Sequence, residues 1–175
     1  VVLRGRDRNA VILDGGDNFL VEQNLSNNAG RSGDPEIVVQ DGVVHVLWED
    51  DTDGDVDVVY RRSSNAGVDF DAAVDLSDND SSSTHASLAV RGDDVLVAWD
   101  DFEVELGEIH ARLSTDGGTV FDDVVNLSET ADGVSQRPHV ALDDGTFHVV
   151  WEDDVDGSVD VHHRRSLDGG ATWED

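Results

Sequence analysis

The sequence predicts an all-β protein, a β-propeller built from four-stranded antiparallel blades, with about three blades in this chain. Three observations predict it: a strict internal repeat, strands that are apolar on both faces, and tight glycine turns at fixed places in each repeat. The Leu-Ser pair recurs at Leu25, Leu76 and Leu127, 51 residues apart each time. Trp48, Trp99 and Trp151 follow at intervals of 51 and 52, and Phe19, Phe70, Phe121 and Trp173 at 51, 51 and 52. Several residue types keeping one period make a repeat, and a four-stranded unit of roughly this length is the pattern of a propeller blade. A sandwich would show unequal strands and no period.

Each repeat divides into the same elements. A first strand reads 35–39, 86–90 and 138–142, and a tight turn with Gly42, Gly92 or Gly145 follows. The second strand, 44–48, 95–99 and 147–151, is apolar at almost every position, as a strand covered on both sides must be. An acidic loop leads to a third strand at 57–61, 108–112 and 160–164. A fourth is expected from Phe70 or Phe121 to the next Leu-Ser pair. The repeats divide the chain into residues 1–24, which close a preceding blade, and blades at 25–75, 76–126 and 127–175, the last without its final strand. Propellers have about four to eight blades. The ring is therefore expected to be completed by blades outside this sequence, or by a second chain in a homodimer of about six blades. In the second case the strand between Phe19 and Leu25 finishes the partner's last blade. Beginning at Val1, lacking Met and stopping in mid-repeat at Asp175, the chain reads as a mature or excised piece of something longer.

Charge narrows the partners. Forty acidic residues, 31 of them aspartate, stand against eleven basic ones, all arginine, for a net charge of -29. With 38% hydrophobic residues in regular strand patterns, the chain is folded rather than disordered. Such acidity fits a halophilic protein working in molar salt, where the Debye length falls to about 3 Å and carboxylate repulsion is screened. Nucleic acid and anionic membranes would be repelled, so neither is expected as a partner. There is no cysteine, hence no disulfide or thiolate metal site, and no apolar run approaches a membrane span.

The turn between the third and fourth strands carries the most specific signature. It reads Ser114-Thr-Asp116-Gly-Gly118-Thr-Val-Phe121 and Ser166-Leu-Asp168-Gly-Gly170-Ala-Thr-Trp173, with weaker copies at Ser63-Ser-Asn65-Ala-Gly67-Val-Asp-Phe70 and around Asp14 and Phe19. Asp or Asn at such a turn accepts backbone N–H bonds, and the glycine permits a positive φ. The pattern resembles the Asp-box, or BNR, repeat of sialidase-like propellers over nearly the whole chain. The resemblance implies that these residues are structural staples on the face opposite the ligand site.

Function is expected where equivalent positions differ between repeats. Immediately before the first strand stand Asp34, His85 and Arg137, at the end where a propeller funnel opens; they are the ligand-binding candidates. Arg61, Arg112 and Arg164 recur and are expected to pair with Asp50, Asp101 and Asp153. The loops after tryptophan place Glu49, Asp51, Asp53 and Asp57, and again Glu152, Asp154, Asp156 and Asp160, at alternating positions around a glycine. Hard oxygen ligands in that pattern make Ca²⁺ the one candidate cofactor. Sialidase activity in the family needs an arginine triad, a Tyr–Glu nucleophile pair and an aspartate. The single tyrosine, Tyr60, has Ala111 and His163 as counterparts, and Arg137-Pro138 matches only the end of the family's Arg-Ile-Pro motif. The expected function is thus a non-catalytic, extracellular or cell-surface module that binds carbohydrate or protein. A fragment of a sialidase-like glycoside hydrolase is the alternative.

Overall fold

A computed structural model describes residues 22–102, 106–130 and 132–174. The hairpin copy at Asp14 and Phe19 lies outside the described residues. Among these residues eleven strands form three antiparallel sheets. β1 (Ser32–Gln40), β2 (Val43–Asp50), β3 (Asp57–Ser63) and β4 (Val74–Asp75) make the first, and β5 (Ser83–Arg91), β6 (Asp94–Asp101), β7 (Glu108–Ser114) and β8 (Val125–Asn126) the second. The third holds β9 (Ser135–Asp143), β10 (Thr146–Asp153) and β11 (Asp160–Ser166). In each, strands pair in chain order, so every connection is a short hairpin. The innermost strands β1, β5 and β9 neighbour one another, and the sheets fan outward from them as propeller blades.

The strand period of two explains how the sheets stack. Along β6, Val95, Val97 and Trp99 point to the first sheet, where they meet Leu47, Val58, Tyr60 and Leu76. Leu96 and Ala98 point the other way and join Ile109, Ala111 and Leu127 against Phe147, Val149 and Trp151 of the third sheet. Burying each large side chain contributes roughly 1.5–3 kcal/mol, so the two interfaces are the core of the protein. β10 carries the same apolar pattern, but burial alternates along it because only one of its faces is covered.

The two ends of the sheets differ. At one end lie the turns with Gly42, Gly92 and Gly145, all at positive φ. The Ser-x-Asp hairpins dock on these turns: Ala66, Gly117 and Gly169 each donate an N–H to Gly42, Asp93 and Gly145 carbonyls at 3.0, 2.8 and 3.2 Å. Inside each hairpin the serine hydroxyl bonds the Asn65, Asp116 or Asp168 carboxamide or carboxylate at 2.8 Å and accepts the N–H of Gly67, Gly118 or Gly170. Gly118 has φ +79, and a Cβ there would run into the Tyr60 hydroxyl of the preceding sheet. Phe121 stacks edge-on against Tyr60 with centroids 5.0 Å apart, and Trp173 packs on the core between the second and third sheets. The hairpin aromatics therefore join one sheet to the sheet before it.

Two expectations need correcting. The fourth strand is only two residues long in the sheets that have it; in the first, Arg61 donates to the Leu25, Phe70 and Asp71 carbonyls and braces the irregular approach. The first strand also starts earlier than the apolar run suggests, and it contains a bulge.

Candidate functional site

The bulge is where the candidate residues sit. Asp34, His85 and Arg137 adopt φ of 46, 49 and 54, a left-handed conformation that costs a non-glycine residue about 1 kcal/mol or more. Register shifts bracket Asp34 and His85 in their strands, and the pairing opposite Arg137 shifts likewise. The extra residue turns each of these side chains toward the end of the sheets away from the Ser-x-Asp hairpins.

There the residue after each tryptophan meets them. His85 Nδ1 lies 2.9 Å from Asp100 Oδ2, and Arg137 Nη1 donates to Glu152 Oε2 at 3.0 Å. Asp34 lies beside Glu49, and its negative charge acts on the Glu49 carboxyl. The same carboxylates reach across to the next sheet: Glu49 Oε1 accepts the His85 N–H at 2.7 Å, and Asp100 Oδ2 the Arg137 N–H at 3.4 Å. Asp34, Glu49, His85, Asp100, Arg137 and Glu152 thus form one polar ladder across three sheets, and the structure brings all three candidates together.

Electrostatics distinguishes the rungs. Asp100 is fully buried and also accepts the Thr84 hydroxyl at 2.9 Å. A carboxylate only accepts, so His85 Nδ1 carries a proton toward Asp100, on a ring that is half-exposed. Burial pushes the Glu49 carboxyl above the usual carboxylate range; the His85 N–H opposes this and Asp34 reinforces it. Between the second and third sheets the ladder borders a groove of about 230 Å³ lined by Glu36, His85, Ala86, Ser87, Arg137, Pro138 and His139. In a chain of net charge -29 this lining is rich in basic side chains. Its volume falls below the roughly 300–1,000 Å³ of a small-molecule pocket, so it admits part of a ligand.

The recurrent arginines do not pair with the expected aspartates. In the register of β2 and β3 Arg61 faces Val46 while Asp50 faces Asp57, four positions along the strand. Asp50 instead receives the Trp48 indole N–H at 3.0 Å and the Ser32 hydroxyl at 2.8 Å, with Asn28 and Thr52 as further donors. Burial alone would raise its pKa, but donors Thr52, Trp48, Ser32 and Asn28 outweigh it and hold the carboxyl down at about 2. Trp99–Asp101–Ser83 and Trp151–Asp153–Ser135 repeat this latch. Arg164 approaches Glu129 at 3.8 Å.

The acidic-loop carboxylates go to separate partners. Glu49 and Glu152 serve the ladder, while Asp51 and Asp154 accept the Arg31 and Val134 N–H groups. Asp57 accepts the Ser77 hydroxyl at 3.1 Å and Asp160 that of Ser158 at 3.1 Å; Asp53 and Asp156 are exposed. Among the described residues no three His, Asp or Glu side chains converge to hold a metal. The residue that sequence reasoning missed is Asp100; its signal was its place beside Trp99, equivalent to Glu49 and Glu152.

Neither a protein-family model nor a curated protein sequence matches the chain. Solved structures match it as folds. An ulvan lyase of a new polysaccharide lyase family, bound to -[GlcA(1-4)Rha3S]-, superposes with a TM-score of 0.61 at 14% identity, over 87% of this chain and 44% of that one. A thermostable family-43 glycoside hydrolase gives 0.52 at 13%, over 79% and 52%. The Trypanosoma rangeli sialidase with sialic acid gives 0.55 at 15%, over 80% and 29%. The chain thus spans about half or less of these structures, and at such identities the likeness shows the fold: an incomplete β-propeller.

Proposed function

We propose that the chain is a non-catalytic propeller module that binds carbohydrate, outside the cell or on its surface, at the end bearing Asp34, His85 and Arg137. One observation carries this reading: three equivalent non-glycine residues are held in a left-handed conformation, and two of them, His85 and Arg137, border a groove rich in basic side chains. Left-handed turns recur elsewhere in the repeat, at Asn27, Asp78 and Glu129; what supports a site here is that this turn aims different side chains at a common opening. The named ligands of the fold neighbours, a uronate-containing disaccharide and sialic acid among them, favour a glycan over a protein. The Ser-x-Asp hairpins are structural on this account, since their polar atoms are spent on their own turns. A glycan array in 2–4 M KCl, a range set by the screening argument, tests it. Wild type is expected to retain glycans that Arg137→Ala and His85→Ala lose at least tenfold. No retained glycan, or retention indifferent to both substitutions, contradicts it.

A second reading, a fragment of a glycoside hydrolase, is favoured by Glu49. A carboxyl whose pKa is raised beside a second carboxyl is what a general acid requires. Turnover of a fluorogenic sialoside or arabinoside in the same salt, abolished by Glu49→Gln, would replace the first reading with this one.

A further inference from the structure

We propose that His45 makes one blade contact acid-labile: in mild acid the hairpin at 114–121 lets go of the first sheet, while the hairpin at 166–173 stays docked on the second. These contacts lie at the end of the sheets away from the groove, so the proposal does not depend on glycan binding.

Two interfaces of the same design differ in what fills them. At the first, His45 of β2 and Tyr60 of β3 point toward the second sheet. Both are buried, and His45 Nδ1 lies 2.7 Å from the Tyr60 hydroxyl. The second hairpin closes over this pair: a Cβ on Gly118 would come within 3.5 Å of His45 Nδ1 as well as meeting the Tyr60 hydroxyl. Arg62, opposite His45 in the register, donates to the Thr119 hydroxyl of the same hairpin. One repeat later the equivalent positions hold Leu96, Ala111 and Leu113. There the third hairpin closes over hydrocarbon, with Gly170 against Leu113 and the Phe147 ring.

The charges around the pair decide what acid does. Arg62 stands on β3, Asp71 beyond the end of β3, and Asp116 in the hairpin. Asp71 lies against Arg62, 3.5 Å from its Nε, and Asp116 accepts the Thr119 and Val120 N–H groups of its own turn at 2.9 Å. The β5–β6 turn brings Asp93, whose carbonyl holds the Gly117 N–H. The face of the second sheet packed on the pair is apolar, with Leu88, Val95, Val97 and Trp99. An imidazolium formed in this place would be buried beside a like charge. Burial, and then the Arg62 guanidinium, hold His45 below the ordinary histidine value. An unfolded or opened chain therefore takes up this proton before the docked one does. The contact keeps its full strength above about pH 6.5 and loses it as the pH falls. Releasing one hairpin exposes the ring at a smaller cost than unfolding the sheets. Asp57, which is pushed up to about 6, acts in the opposite sense, because there the folded chain binds the proton first.

Tyr60 is the single tyrosine, so a ring-labelled tyrosine gives one NMR signal that reports on this contact. In about 2–4 M KCl, the screening range given above, the nuclear Overhauser contact between Tyr60 and Phe121 is expected to disappear between pH 7 and pH 5. Over the same range hydrogen-exchange protection of the Gly118 amide is expected to fall about tenfold more than that of Gly170. His45→Asn keeps a polar partner for the Tyr60 hydroxyl but takes up no proton, and is expected to hold the contact at pH 5. If that variant does not fold, the His45 ring titration in the unmodified chain decides: it is expected to fall below about pH 6.5 and to coincide with the change at Tyr60. A contact unchanged at pH 5, equal loosening of both hairpins, or the same loss in His45→Asn overturns the proposal. So does an imidazole that takes up its proton while Tyr60 stays in place.

Discussion

The middle blade and the last sheet are written in nearly the same sequence pattern, yet they differ in what burial does to them. Every residue of β6 from Val95 onward is buried, whereas in β10 only alternate residues are. Ile109 of β7 is completely buried and its counterpart Val161 of β11 is 76% exposed. A strand that is apolar on both faces records what its neighbours are meant to be; whether a given face is core depends on the sheet beside it. The side facing the preceding sheet is satisfied in both cases, since Trp99 and Trp151 are equally enclosed.

The largest effect should therefore fall on the shared side. Trp99→Ala and Trp151→Ala are each expected to destabilise by about 3–5 kcal/mol in urea titrations at high salt; a much smaller loss for Trp151 would mean that the third sheet is loosely attached. The next effect separates the two regions. Ile109→Ala is expected to cost about 2–4 kcal/mol and Val161→Ala no more than about 0.5 kcal/mol. Equal losses would contradict the difference in exposure.

A smaller, pH-dependent contrast lies between Asp57 and its exposed counterpart Asp160. Burial, and then the neighbouring Asp75 carboxylate, push the Asp57 carboxyl up to about 6. Between the ordinary aspartate value of about 4 and that pKa the unfolded chain has lost a proton that the folded chain keeps, so stability falls as pH rises through this window. Asp57→Asn should remove about 1–2 kcal/mol of that loss, allowing for screening in concentrated salt. Thermal melts between pH 4 and 7 read the difference.

Much of the fold was legible because a propeller repeats its errors as well as its rules. The period located the three sheets, the turn glycines and the hairpins with their Ser, Asp and aromatic residues. What was not legible depended on register. Arg61 and Asp50 lie on the same side of their sheet, so pairing them looked reasonable; only the strand register shows them four residues apart, with Trp48 and Ser32 holding the carboxylate. The bulge escaped for a different reason. Glycine is the usual mark of positive φ, and Asp34, His85 and Arg137 carry no such mark, although their divergence between repeats singled them out. In the acidic loops composition alone sets carboxylates at alternating positions, and among the described residues they do not converge.

The account rests most heavily on the rung at which buried Asp100 orients His85 toward the groove. Nitrogen-15 NMR of the His85 ring at neutral pH and high salt tests it directly. The predicted result is a protonated Nδ1 with a hydrogen-bonded signature that Asp100→Ala removes. A bare Nδ1, or an Nδ1 proton indifferent to Asp100, would contradict the ladder and with it the site.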